Sequence, residues 1–315
     1  MIESVMMMKE HDKRTRILVS GLLNVETTAA VRGFPIQYYP IDYPFFGVDS
    51  AVSGVGYNLA KALATLGDQV ELVSCLGRDA EGKRILEQLR EDAIPTGRIS
   101  SGLRRTPVSV VLYEPQGRRQ IYCDLKDIQE QKLDPADLEE TLLGCDIAAL
   151  CNINFNRALI REARRMGVVT ATDVHVLGSV EDDYNRDFME CADILFLSDE
   201  ALPCAPADFL RRLYRRYHNR VIVLGMGERG AMLLDARRGE PLIVPAWNAG
   251  PVVNTVGAGD ALFSAFLHYY AKGMDAEAAL RRAVVFAGVK IGYNGASKGF
   301  CTERELEARL EEGQV

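Results

Sequence analysis

Three absences narrow what this chain can be. No apolar run approaches the ~20 residues of a membrane span, so no membrane is expected among its partners. No Cys-x-x-Cys pair occurs: the cysteines at 75, 123, 145, 151, 191, 204 and 301 show neither a disulfide framework nor zinc-ligand spacing. Cys75, Cys145 and Cys151 sit in apolar runs and read as reduced core residues, which points to a reducing, cytoplasmic setting. Nor is there an excess of positive charge, because 37 basic residues face 44 acidic ones for a net charge of −7. No nucleic acid is therefore expected as a partner, since that needs a basic footprint. A small anion, which feels only the local field, stays open. Residues 1–15 are polar, carry no signal-peptide core and read as a disordered lead-in.

What the chain does have is material for a core. With 48% hydrophobic residues over 315 positions it suits one α/β domain carrying a smaller lobe. The stretch to read outward from is Asn254-Thr255-Val256-Gly257-Ala258-Gly259-Asp260, followed by the apolar run 261–267. If that run is helical, the peptide N–H groups of Val256 to Asp260 lie unpaired at its first turn. Free donors and the helix dipole then attract an anion. A carboxylate beside an anion site makes little sense as a binder. It makes good sense as a base that takes the proton of an attacking hydroxyl while the amides hold a phosphoryl group. Read alone, the same motif is also a Gly-rich turn with Asp as a helix cap.

In chain order, Ile17–Gly21 reads as a first buried parallel strand. Asn24 and Glu26 follow it and alternate with apolar residues, so both face one side of an extended segment, either toward a polyol or toward solvent. Residues 33–48 are rich in Pro and aromatics, which forbids a helix and leaves edge strands with loops. Ser53-Gly54-Val55-Gly56-Tyr57-Asn58 opens a helix running to Leu66 with Gly67 as its stop, and Asn58 offers a donor and an acceptor suited to sugar hydroxyls. Val70–Leu76 is the next strand. Gly77 to Arg84 nearly spells a Walker phosphate loop, but Arg84 stands where Ser or Thr must be, and Asp79 reads as a helix cap. Pro107 to Asp124 reads as a hairpin turning at 114–117, with Arg118 and Arg119 as solvated tip charges.

Beyond Asp134-Pro135, a helix start, strands are expected at 147–150, 168–171, 194–197 and 221–224, with helices near 156–166, 182–191 and 207–218 between them. Thr302 and Glu305 form a capping box. The alternation predicts an α/β fold: a three-layer, doubly wound, mainly parallel sheet, with a small β-sheet lid whose strands come from about 33–48 and 107–124. Polar residues gather just past several strands: Asn152 and Asn154, Asp173 and His175, Asp199 and Glu200. That edge is where open α/β sheets bind ligands. Asp199 and Glu200 are candidate Mg²⁺ ligands or a helix-start dipole pair, and His175 reads as packed or water-linked rather than as a base. Gly225-Met226-Gly227-Glu228-Arg229-Gly230 lies between two strands, so its G-x-G-x-x-G spacing is not a Rossmann turn.

These pieces in this order resemble the ribokinase-like (PfkB) carbohydrate kinase family, over roughly residues 16 to 312. Asn254 to Asp260 is similar to the family's D-T-x-G-A-G-D signature, Ser53 to Asn58 to its G-G-x-x-x-N segment, and Gly225 to Gly230 to its nucleotide-binding turn. The resemblance implies ATP- and Mg²⁺-dependent phosphoryl transfer to a sugar or nucleoside hydroxyl, usually a terminal CH₂OH. By position it implies Asp260 as base, Gly257, Ala258 and Gly259 as anion hole, and Asn24, Glu26, Gly54 and Asn58 at the substrate. Gly225, Gly227, Gly230, Asn294 and Gly295 would lie at the nucleotide, and a homodimer through the lid is one assembly the layout allows. Four departures stand out. Asn254 replaces an Asp that in many members helps hold a monovalent cation, so activation by K⁺ is in doubt. Glu26 replaces Asp, Ser53 replaces the first Gly, and the family's N-x-x-E magnesium motif is not met at Ser198 to Ala201. A sugar kinase is the leading expectation. A nucleoside kinase, a kinase for a phosphorylated sugar served by Arg104, Arg105, Arg118 and Arg119, and a non-catalytic sugar or nucleotide sensor are the alternatives.

Overall fold

The structure is a computed structural model, and it describes residues 14–115, 118–247 and 250–311. Most of the expected lead-in and the hairpin turn at Gln116-Gly117 lie outside the described residues.

Among the described residues, thirteen strands make two sheets. The large sheet contains β1 (Arg16–Ser20), β4 (Gln69–Gly77), β5 (Arg98–Leu103), β8 (Ile147–Leu150), β9 (Thr170–Val176), β10 (Ile194–Ser198), β11 (Val221–Gly225), β12 (Ala231–Asp235) and β13 (Leu242–Val244), in the order β13-β12-β11-β10-β9-β8-β1-β4-β5. Strands β5 through β11 in that order run parallel, and β12 and β13 are added antiparallel. The small sheet contains β2 (Asn24–Ala30), β3 (Val48–Ser53), β6 (Val108–Tyr113) and β7 (Arg119–Asp124), in the order β3-β2-β6-β7.

Side-chain alternation sorts the large sheet's residues into two cores. Ile17, Val19, Ile194 and Phe196 point to one face, where they meet α1 (Val55–Leu66), α2 (Ala80–Glu91), α7 (Ala258–Ala271), α8 (Ala276–Lys290) and Leu306 of α9 (Glu303–Glu311). Leu18, Leu195 and Leu197 point to the other, under α3 (Glu139–Gly144), α4 (Arg157–Arg165), α5 (Arg186–Cys191) and α6 (Pro206–Tyr217). Strands apolar on both faces are what a sheet covered by helices on both sides requires. Among the described residues, no helix is long and apolar enough to cross a membrane.

Local signals set the element ends. Gly67, at φ 103, closes α1; Asp79 caps α2 by accepting from the Gly82 amide at 3.0 Å; Thr302 and Glu305 exchange the bonds of a capping box. Two expectations need correction. Residues 33–48 supply no strand beyond Val48, because Pro35, Pro40 and Pro44 break any ladder; the lid pairs instead run through β2 and β3 on either side of that segment. The strand expected at 168–171 begins at Thr170 and runs on to Val176, since Gly167, at φ 74, and Val168 still belong to the turn out of α4.

Candidate active site

The two glycine segments meet at the carboxyl end of β1. The Gly56 amide donates to the Leu22 carbonyl at 2.9 Å, which docks the start of α1 just past that strand. Gly54 makes this possible: at φ 102, any side chain there would strike the Leu22 carbonyl. One turn later Asn58 Nδ2 donates to Asp260 Oδ2 at 2.7 Å, so the first turn of α1 holds the carboxylate at the first turn of α7. The strand on each side of β1 in the large sheet is parallel to it, and the chain leaves in opposite directions here, which is where ligands of such sheets bind.

The loop before α7 is held from several sides. Gly257 sits at φ 80, and a Cβ there would fall on the Ala296 carbonyl. Asn254 Oδ1 accepts from the Val256 amide at 2.8 Å, and Asn254 Nδ2 donates to Asn294 Oδ1 at 2.8 Å. The amides of Val253 and Asn254 both donate to the Ile291 carbonyl. These contacts narrow the expected amide cradle. The Val256 N–H goes to Asn254 and the Ala258 N–H to the Thr255 carbonyl, so among the described residues the donors left for an anion are Gly257, Gly259 and Asp260. No side chain caps this helix start.

Burial pushes the Asp260 carboxyl above its ordinary value; the Asn58 bond and the positive field of His175 and Lys290 oppose the shift, while Asp173 adds to it. His175 and Asp173, at the end of β9, thus lie near enough for their charge to act on that carboxyl. His175 has a left-handed φ of 57, and its amide donates to Asp173 at 2.8 Å. Glu26 lies on the same side. Burial raises its carboxyl too, a bond from Ser53 opposes that, and the nearby Asp260 charge reinforces it. Asn24 is 3% exposed and donates to Ser109 Oγ at 2.9 Å. Asn24 Oδ1 and Asn58 Oδ1 are both buried and accept no hydrogen bond. Buried amide oxygens rarely stay unmatched, and a hydroxyl-bearing ligand supplies the donors they lack.

Several other expected positions have ordinary work. Asp199 is paired with Arg229, Glu200 is exposed, and no three His, Cys, Asp or Glu side chains converge to hold a metal among the described residues. Arg229 stands in the glycine turn next to the end of β10 and takes the Asp199 carboxylate. Gly230 packs against the Val244 carbonyl, so its lack of a side chain serves the turn, whereas Gly227, at φ 57, faces open space and Gly225 has room before Leu197. Asn152 bonds Asn185, and Asn154 bonds Gln129. Arg118 and Arg119 are not free tip charges. Arg118 pairs with Glu114, and Arg119 Nη1 donates to Thr255 Oγ1 at 2.8 Å, which joins the lid to the loop ahead of α7.

Residues 14–303 match the family described as pfkB family carbohydrate kinase. The chain belongs to that family. The acarbose 7(IV)-phosphotransferase of an Actinoplanes species is 27% identical over 284 residues, 88% of this chain and 91% of that protein. The ribokinase of Lactococcus lactis is 27% identical over 322 residues, 96% of this chain and 99% of that one. The solved structure of a microbiome-derived acarbose kinase superposes with a TM-score of 0.85 at 25% identity, covering 95% of this chain and 99% of that one. As a member of the family, the chain is an ATP-dependent carbohydrate kinase.

The structure also brings out a residue that the sequence did not single out. Lys290 is fully buried at the last turn of α8, and its ammonium donates to the Val256 carbonyl beneath the Asp260 loop. A lysine in a last helical turn reads from sequence as a dipole partner, and only the tertiary fold shows what it reaches.

Proposed function

We propose that the enzyme transfers the γ-phosphoryl group of ATP to a terminal CH₂OH of a sugar held under the lid, with Asp260 as the general base. The observation that carries this reading is the pairing of a shielded, Asn58-held carboxylate with two buried amide oxygens, Asn24 Oδ1 and Asn58 Oδ1, that lack donors. In the step, the sugar hydroxyl oxygen forms a bond to the γ-phosphorus as the bond to the β,γ-bridging oxygen breaks. The hydroxyl proton passes to Asp260, and ADP leaves. The amides of Gly257, Gly259 and Asp260 meet the charge on the transferring group, which is where phosphoryl transfer gains most. Asn24, Glu26 and Asn58 orient the sugar's hydroxyls, and Gly54 lets the chain pass close to it. Gly225 and Gly227, with Asn294 and Gly295, border the nucleotide.

Mg²⁺ neutralises charge on the ATP phosphates when bound. It needs few protein ligands because phosphates and waters fill most of its shell. Among the described residues, the carboxylates do not form a dedicated cage for it. Arg119 draws the lid toward Thr255, which helps to exclude water that would compete with the sugar. Val110 and Tyr122, paired across β6 and β7, are exposed on one face of the lid sheet, and a second copy would pack there in a homodimer. Seven unpaired cysteines suit a reducing cytoplasm.

The reading is tested by measuring ADP release across a panel of sugars and nucleosides, alongside melting shifts with a nonhydrolysable ATP analogue. A free sugar that releases ADP and raises the melting temperature supports it. Turnover only with nucleosides or with phosphorylated sugars moves the assignment to those substrates, and a ligand that shifts melting with no ADP released makes the protein a sensor.

A further inference from the structure

We infer that Lys290 is a built-in cation that holds the phosphoryl-binding loop in place of a mobile monovalent ion. The inference rests on the kinase reading above, and four observations carry it. Lys290 is 0% exposed, and its ammonium donates to the Val256 carbonyl, which points down from the loop into the protein. That loop carries the Gly257, Gly259 and Asp260 amides, so whatever fixes the Val256 carbonyl fixes the direction in which they aim.

The second observation is the charge around the ammonium. Burial pulls the pKa of the ammonium down to about 8, which leaves it mostly charged at neutral pH; Asp260 and Glu26 act on it as nearby negative groups, and Arg119 acts from the lid as a positive one. A buried positive charge facing two carboxylates and a carbonyl is the field a monovalent cation would supply. Here it is attached to α8 and cannot diffuse away.

The third is the state of Asn254. Its side-chain oxygen takes the Val256 amide and its nitrogen goes to Asn294. Both ends of the amide are used inside the protein, and it has no charge to draw an ion. The fourth is the Ile291 carbonyl, next to Lys290, which already takes the amides of Val253 and Asn254. The oxygens around the loop are thus shared among the protein's own donors, and the positive charge comes from the protein as well. Lys290 acts as a positioning residue: it sets the loop and does not touch the substrate.

The test compares wild type and Lys290→Ala in matched ionic strength, with choline chloride or KCl as the only salt. For wild type the expected kcat is the same in both within ~2-fold; saturable activation by K⁺ of ~10-fold or more would overturn the inference. For Lys290→Ala the expected kcat in choline falls ~10²-fold, the loss typical of a misplaced transition-state donor, with the sugar KM within ~3-fold of wild type. Added K⁺, ammonium or methylammonium is expected to restore part of it, saturably. Wild-type turnover of Lys290→Ala in choline, or a loss that none of these cations relieves, counts against a cation role. Should the variant not fold, the wild-type comparison still decides. Should wild type phosphorylate nothing, the kinase reading is what fails. Equal melting shifts by the ATP analogue in choline and in KCl would then uphold the role of Lys290, and a shift seen only in KCl would overturn it.

Discussion

Asn58 Nδ2 and Asp260 Oδ2 lie 2.7 Å apart although 202 residues separate them in the chain. The bond ties the starts of α1 and α7 over the end of β1, and it opposes the upward push that burial gives the Asp260 carboxyl. Asn58→Leu removes that support and the buried amide oxygen together. Turnover efficiency on the sugar is expected to fall ~10–100-fold, more than the ~1 kcal/mol of a lone hydrogen bond, because a sugar contact is lost as well. Steady-state kinetics with varied sugar and with varied ATP checks this. The sugar KM should rise while the ATP KM stays near wild type.

The pH profile follows from the same carboxyl. Its proton affinity is raised above the ordinary value by burial, and the acting form is the carboxylate. Activity should therefore climb with pH through an acid limb that lies higher than that of an exposed aspartate, and fall as acid protonates the base. Asn58→Leu removes a contact that holds the value down, so its limb should lie higher still. A pH series of kcat/KM for both proteins measures the shift. A limb that stays put, or moves to lower pH, would contradict the account.

Much of this fold could be read from the residues because it rests on periodicity and punctuation. Ile147–Leu150 is a strand at the positions its apolar run marks, and Gly67 and Thr302 end or begin helices for reasons local to a few residues. Strand β5 escaped notice because Arg98-Ile99-Ser100-Ser101-Gly102-Leu103 is an edge strand, largely solvated, without an apolar run to mark it. The glycine motif marked a candidate anion site. It could not show that Asn254 turns its amide inward, that Arg229 takes Asp199, or that Lys290 reaches Val256 across 34 residues. Each of those depends on which distant side chain folding brings alongside, and local pattern carries no record of that.

Gly257 gives a backbone test. It combines φ 80 with a Cβ position already filled by the Ala296 carbonyl. Gly257→Ala should strain the loop by about 1–3 kcal/mol and turn its amides away from the transferring group. A kcat loss of at least ~10-fold is expected, together with a native-like circular dichroism spectrum. Gly259→Ala is the control, because a Cβ there meets nothing within 4 Å and its φ lies outside the left-handed range. It should lose much less.

Arg119 tests the lid. It is exposed and donates to Thr255 Oγ1 at 2.8 Å. Arg119→Met should leave the melting temperature almost unchanged, since an exposed polar contact contributes at most about 1 kcal/mol. The expected change is kinetic: a several-fold lower kcat, and a larger share of ATP hydrolysed to water without sugar, measured as the ratio of ADP to sugar phosphate formed.

The most direct measurement is turnover by Asp260→Asn, with affinity for a nonhydrolysable ATP analogue measured on the same preparation. Removing a general base while keeping the shape and the Asn58 contact should lower kcat by at least ~10²-fold with analogue affinity close to wild type. A kcat near wild type would contradict Asp260 as the base.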